Sequence, residues 1–215
     1  MAFKEICVKN GVLYKKSKDY MYQFSIMTES LEHFLVANFS CTKDEASVVA
    51  SSFKYVKATK NEVLVDDGRV CRYLYFIIKG GAKAYFIDNK GLETIRYVAF
   101  ENEFIASIYS FIKQIPADEY ICALEPCELL AISYSEFKTI LSKSSLLKDL
   151  YIKMLEETYL YNHWRIETLL RLDAKKRYEY MLLKNRQLVQ RLSNKNLSSY
   201  LGITQESLSR IKGKK

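Results

Sequence analysis

Two prolines and seven glycines in 215 residues leave no linker-rich or low-complexity segment, so any domain boundary is expected to run through helix. Histidine is almost missing. His33 and His163 alone cannot build a histidine-rich metal centre. Cys7, Cys41, Cys71, Cys122 and Cys127 are an odd number without a C-x-x-C pair, which argues against an oxidised framework or a tetrahedral zinc site and reads as buried free thiols. The longest aliphatic and aromatic run, Tyr73 to Ile78, is far short of the roughly 20 residues a membrane helix needs, and the N-terminus has no signal-peptide core. The expectation is a cytoplasmic protein with no membrane partner and no internal repeat.

What is present is a hydrophobic content of 49%, enough for one large core or two small ones. The net charge of +8 matters once it is located. Twelve Lys or Arg against three acids lie from Arg171 to Lys215, whereas the first 170 residues hold 21 basic and 22 acidic side chains. A near-neutral body with a basic end fits the electrostatic footprint of a polyanion-binding protein, and nucleic acid is expected ahead of an acidic membrane surface.

The basic end contains Leu192 to Lys212, which reads as two short helices about a tight turn. Leu197, Leu201, Ile203, Leu208 and Ile211 are spaced to bury one small core, and Gly202 stands where the turn needs a positive φ. Thr204 is placed to cap the second helix. Gln205, Glu206, Ser207, Ser209 and Arg210 then lie on its outer face, with Lys195 and Lys212 as phosphate contacts. Arg can bond guanine bidentately, Gln adenine, and Glu can accept from cytosine. Two plain surface helices of an all-α subdomain would carry the same local pattern.

Earlier in the chain, Met1 to Ile26 is basic and tyrosine-rich without a clear period, and Met27 to Ser30 reads as a fresh capped helix start. Residues 1–26 are therefore treated as an extension, with Met27 as an alternative start of translation. Leu31, Phe34, Leu35 and Phe39 have helical spacing, and Lys43 to Ser51 reads as a second helix. From Phe53 to Ile132 the texture becomes short β-rich runs, including the wholly apolar Leu74 to Ile78 and a hairpin turn at Asp88-Asn89-Lys90-Gly91. Tyr134 to Leu141 is a short helix and Ser144 to Leu170 a long one, roughly 40 Å at 1.5 Å per residue.

Gly68, the run Leu74-Tyr75-Phe76-Ile77-Ile78-Lys79-Gly80, Gly91 and Phe104-Ile105 resemble, in type and spacing, the β-roll of the Crp/Fnr family of transcription regulators. Cys127-Glu128-Leu129, Ala131 to Tyr134 and Phe137 continue the likeness, and Leu172-Asp173 with Arg177 resembles that family's hinge. The resemblance spans about Leu31 to Lys212. It implies an α+β fold: an antiparallel β-roll of jelly-roll or double-stranded β-helix type (27–143), a long dimerisation helix (144–171) and a helix-turn-helix domain (172–215). Gln187 to Ser193 is short for the hairpin that precedes the motif in better-known members, and the sequence ends three residues after Lys212, so the wing is expected to be reduced or absent.

By the same resemblance, Leu147, Leu150, Tyr151, Met154, Tyr161 and Trp164 would pair with a second copy, and an effector pocket would lie near Phe104, Ser107, Asp118 and Tyr120, approached by Asn162 and His163. Cyclic-nucleotide-binding members carry Gly-Glu for the ribose and Arg-Ser or Arg-Thr for the cyclic phosphate. Here Ala106-Ser107 and Ala117-Asp118 stand in those places, and a buried phosphate without its arginine is costly, so cyclic AMP is not the expected effector. No cofactor is expected; Cys7 and Cys41 are too few and too distant for the iron-sulfur members' cluster, and Cys71 alone does not make a haem site. The expected partners are double-stranded DNA, a second copy, a small-molecule effector and, by family likeness, RNA polymerase. The rival reading is a β-roll sensor acting through protein contacts, with a vestigial DNA-binding end. An enzyme on a cupin-like barrel comes third, for want of histidine ligands or a nucleophile with its base.

Overall fold

A computed structural model describes the backbone of residues 6–9, 12–15 and 18–213 and the side chains of residues 28–213. β1 (Ile6–Lys9) and β2 (Val12–Lys15) pair antiparallel ahead of α1 (Lys18–Asn38). The helix start expected at Met27 is not observed, because α1 runs through it. The Cys7 side chain lies outside the described residues, and nothing in the fold bears on where translation starts.

α2 (Lys43–Ala50) opens on a capping box in which Thr42 and Glu45 satisfy each other's backbone N–H, so it starts where it does for a local reason. The strands follow: β3 (Lys54–Ala58), β4 (Val63–Val65), β5 (Tyr73–Lys79), β6 (Ala82–Ile87), β7 (Glu93–Ala99), β8 (Phe104–Ile105), then the six-residue α3 (Ile108–Lys113), β9 (Tyr120–Ala123) and β10 (Cys127–Ser133). They form two antiparallel four-stranded sheets, ordered β3-β10-β5-β8 and β4-β9-β6-β7. The β6–β7 hairpin closes at the expected turn, where the Asp88 carboxylate accepts from the N–H groups of Lys90 and Leu92 and Gly91 takes a φ of 78°.

β5 is apolar from Leu74 to Ile78 because both its faces are covered there. Tyr75 faces the other sheet, its hydroxyl 3.4 Å from the carbonyl of Leu64, while Phe76 packs on Phe34 of α1 with ring centroids 5.3 Å apart. Helices α4 (Tyr134–Leu141), with a second capping box at Ser133 and Glu136, and α5 (Ser145–Arg171) complete that layer. Leu147, Leu150 and Met154 of α5 join the core of the roll.

The outer face of the second sheet is covered from much further along the chain. α6 (Ala174–Lys184), capped by Asp173, is followed by α7 (Arg186–Arg191), α8 (Asn194–Leu201) and α9 (Gln205–Gly213). Tyr85, Ile95, Val98 and Phe100 of the roll share one buried cluster with Met181, Leu188, Leu197, Tyr200 and Leu208. The C-terminal helices are therefore docked on the roll rather than held off on a hinge. The stretch read as too short for a hairpin is helix α7, capped by Asn185, whose side chain accepts from the N–H of Leu188 at 2.9 Å. Among the described residues no strand follows Ser133.

Candidate nucleic-acid interface and effector cavity

α8 ends on Gly202 in the left-handed conformation, with a φ of 65°, so the chain reverses within three residues and α9 begins after Thr204. The Thr204 hydroxyl accepts from the N–H of Ser207 at 3.2 Å. Leu197, Leu201 and Leu208 are fully buried between the two helices, which turns Gln205, Glu206, Ser209 and Arg210 outward to solvent, with Ser207 half-buried. Lys195 is exposed, and Lys212 donates to Asn194 at 2.7 Å. Four of the five residues expected on the outer face are therefore exposed. Of the other basic candidates, Lys175 and Lys176 are exposed, but Arg177 is spent inside the fold, donating to the carbonyls of Leu172 at 2.8 Å and Gly202 at 3.3 Å.

Sequence reasoning missed the residues that fasten this unit to the roll. The Ser199 hydroxyl accepts from the N–H of Ile95 at 3.0 Å and donates to the carbonyl of Glu93 at 2.7 Å, continuing the edge of β7 with a side chain. Arg191 donates to Glu101, to Glu125 and to the carbonyl of Gly80, and lies 4.0 Å over the ring of Phe100. The Glu101 carboxyl is held below its ordinary value, first by the Arg191 hydrogen bonds, against the opposing effect of partial burial. Arg165 of α5 is buried, donating to the carbonyl of Tyr200 at 2.8 Å with its guanidinium 4.4 Å over the Tyr200 ring. Tyr161 donates to the carbonyl of Arg96 at 2.8 Å and meets the Tyr200 hydroxyl at 3.1 Å. No periodic signal announces a lone Ser or Arg with such a task.

A cavity of about 450 Å³ lies where the roll, α5 and the docked helices meet. Phe104, Tyr97 and Ile108 supply its floor, Leu150, Met154 and Tyr161 its α5 wall, and Asn185, Leu188 and Tyr200 its far side. Of the six residues expected around an effector, only Phe104 lines it. Ser107 is buried at the start of α3, Asp118 is exposed, and Tyr120 stacks on Tyr85 on the other face of its sheet. Asn162 is half-buried, while His163 is exposed, stacked on Tyr159 and 3.8 Å from Glu167.

The residue aimed inward is Glu119, one position beyond Asp118. It is buried and held bidentately by Arg96, at 2.8 and 3.0 Å. A bulge makes this possible: Ala84 pairs with Tyr97 and Tyr85 with Ile95, leaving Arg96 as the extra residue of β7.

Most of the expected dimer seam is used within the chain. Leu147, Leu150 and Met154 are buried, Tyr151 packs on Phe137, and Tyr161 and Trp164 sit against each other and, through Tyr200 and Tyr180, the C-terminal helices. The opposite face of α5 is left open. Ile152, Tyr159, Ile166 and Leu169 are exposed there, and with the half-buried Leu155 and Asn162 they recur at alternating steps of three and four.

Residues 55–144 match the family described as the cyclic nucleotide-binding domain. No curated protein matches the sequence. Among solved structures the chain resembles FixK2 from Bradyrhizobium japonicum, at a TM-score of 0.68 and 15% identity over 75% of this chain and 83% of that one. It also resembles the c-di-GMP-responsive global regulator CLP of Xanthomonas campestris, at 0.66 and 17% over 80% and 91%. A transcriptional regulator of the Crp/Fnr family from Eubacterium rectale matches at 0.62 and 15% over 80% and 82%. The chain therefore shares the fold of these regulators, with a β-roll of the cyclic nucleotide-binding domain type at its centre. No helix among the described residues is long and apolar enough to cross a membrane.

Proposed function

We propose that the protein is a non-enzymatic, sequence-specific DNA-binding transcription regulator of Crp/Fnr type, acting as a homodimer. The observation that carries the reading is the exposed face of α9: Gln205, Glu206, Ser209 and Arg210 turned outward over the buried Leu208, in the most basic part of the chain. Such a helix-turn-helix places its second helix in the major groove, and two copies about one DNA turn apart need a two-fold partner. The open seam of α5, Ile152, Leu155, Tyr159, Asn162, Ile166 and Leu169, is the face that partner would take, with Asn162 as the polar residue that fixes register.

Cyclic AMP does not fit this roll. Glu119 already places a carboxylate inside, Arg96 is committed to it, and no second arginine stands at the phosphate position, where Ala117 is buried and Asp118 faces solvent. An anion entering there would be desolvated without a cation of its own.

Fluorescence anisotropy against genomic fragments tests the reading. Sub-micromolar, sequence-selective binding that weakens steeply with salt is the expected result. Binding indifferent to sequence, or none, would favour the sensor that works through protein contacts.

A further inference from the structure

We propose that the cavity between the roll, α5 and the docked helices binds an organic cation, a protonated amine carried on a ring-sized apolar body, and that its occupant clamps the C-terminal unit to the sensor. The clamp deepens the regulator reading and rests on it for any consequence at DNA; the binding chemistry stands on the cavity alone.

The volume of about 450 Å³ falls in the range of small-ligand sites. Its charges are unevenly matched. Of its two cations, Arg96 is neutralised by Glu119, and the Lys153 ammonium lies 5.3 Å from the ring centroid of Phe39 and 3.4 Å from the Asn38 side-chain oxygen. Its two carboxylates, Glu103 and Glu157, stand at its solvent-exposed rim and have no cation within ion-pair distance among the described residues. Glu103 accepts one bond, from the N–H of Phe100 at 2.7 Å through Oε2. Partial desolvation at the rim pushes its carboxyl above the ordinary value, and the Glu157 and Glu101 charges add to the rise although the Phe100 bond opposes it. Tyr97 brings a hydroxyl without a hydrogen-bond partner among the described residues and, with Phe34 and Phe104, rings against which a cation or an apolar body can lie. Unpaired carboxylates beside aromatic faces recognise ammonium groups and repel anions.

The clamp follows from whose side chains line the cavity. Asn185, Leu188 and Tyr200 belong to the docked helices, so the cavity is complete only while those helices are in place. A ligand that binds only the docked form stabilises it by linkage, and docking raises the ligand's affinity by the same factor.

The test uses the full chain and three probes that share a phenethyl body: phenethylamine, 2-phenylethanol and 3-phenylpropionate, a cation, a neutral molecule and an anion. Calorimetric titration should detect phenethylamine and neither of the others. The double variant Glu103→Gln/Glu157→Gln should weaken it by about tenfold or more, while its own melting temperature stays at or above that of the parent, since mutual repulsion has been removed. Lys153→Met should leave phenethylamine binding intact or improve it. Equal binding of the three probes, preference for the anion, failure of all three, or an unchanged affinity in the double variant would each overturn the proposal. DNA anisotropy on the same preparation separates the two readings: DNA binding without amine binding removes the cation site alone, and amine binding without DNA binding removes the regulator alone.

Discussion

Arg191 and Glu101 stand 90 residues apart in sequence and meet through both carboxylate oxygens, with Arg191 Nη2 3.0 Å from Glu101 Oε1. The same carboxylate accepts from the N–H of Gly80 at 2.8 Å, and the same guanidinium reaches Glu125 and the Gly80 carbonyl. One side chain of α7 thus holds the turn between β5 and β6, the segment after β7 and the segment after β9. Gly80 is where that turn can be tight: its φ is 95°, and a Cβ there would sit 2.6 Å from the Pro126 carbonyl.

Arg191→Ala should loosen this docking while leaving the roll folded. The pair is partly solvated, with side-chain exposures of 24% for Arg191 and 31% for Glu101, so screening reduces a charge-assisted bond to about 1–2 kcal/mol. Trp164, the one tryptophan, stacks on Tyr180 of α6 at 5.7 Å and reports the change without a label. A red-shifted emission with retained β-sheet circular dichroism is expected. Unchanged emission and unchanged urea stability would mean that the apolar cluster alone holds the helices.

Two carboxylates of the same region should respond to pH in opposite senses. The Glu101 carboxyl is lowered, so its contribution to stability is present above the ordinary glutamate value of 4.5 and is lost as pH falls through its lowered value. The Glu103 carboxyl is raised, so the stability linked to it is present below the ordinary value and is lost as pH rises through the raised one. Urea unfolding across pH 3 to 7, about the accessible acid range, should therefore show Arg191→Ala costing most at neutral pH and least in acid. Glu103→Gln should be most stabilising at neutral pH, with its gain vanishing in acid. Parallel pH profiles for parent and variants would contradict both assignments.

These contacts also mark where the sequence was legible. β5 was readable because five apolar residues in succession have no alternative to burial on both sides, and the Asp88 to Gly91 turn and the Gly202 reversal were readable because each needs a backbone few residues allow. α5 misled for the converse reason: it is apolar on two faces, Leu147, Leu150 and Met154 on one and Ile152, Tyr159 and Ile166 on the other, so periodicity could not say which belongs to the chain itself. Ile95 and Val98 give β7 an apolar outer face, but what covers it lies about a hundred residues on and announces itself only through isolated residues such as Ser199. Glu119 was missed because alignment to a family pattern set Ala117-Asp118 at the phosphate position and so drew attention to Asp118, one residue before the acid that is buried.

Ile166→Asp places a charge in the open seam of α5, at a position 59% exposed in the single chain and therefore tolerable to the fold. Sedimentation velocity should show a dimer for the parent and a monomer for the variant, with the melting curve of the β-roll little changed. The corresponding change at Leu147, which is fully buried, should unfold the roll instead, at a cost of about 3 kcal/mol or more. A variant at Ile166 that remains dimeric would move the partner surface elsewhere.

Cyclic AMP at millimolar concentration should leave the melting temperature where it was. The Glu119 to Arg96 pair occupies the roll with its own charge, and breaking it to seat a phosphate would leave the Glu119 carboxylate, 5% exposed, without its partner. Differential scanning fluorimetry decides the point; a rise of several degrees would show that the roll rearranges to admit the nucleotide.

Arg210→Ala separates reading from anchoring on α9. Arg210 is exposed and makes no hydrogen bond or ion pair to another described residue, so its removal should leave folding unaffected, with any loss belonging to the complex. If its guanidinium meets a guanine, the variant should lose about 1–3 kcal/mol on the preferred site and become indifferent at one base pair, with the salt slope little changed. If it meets only phosphate, all sequences should weaken alike and the slope should fall by about one counterion. Lys195→Ala, at an exposed residue of α8 that is the expected phosphate contact, is the control for the second outcome. Titrating both variants against the selected fragment and single-base-pair substitutions of it, at two salt concentrations, assigns each residue its part.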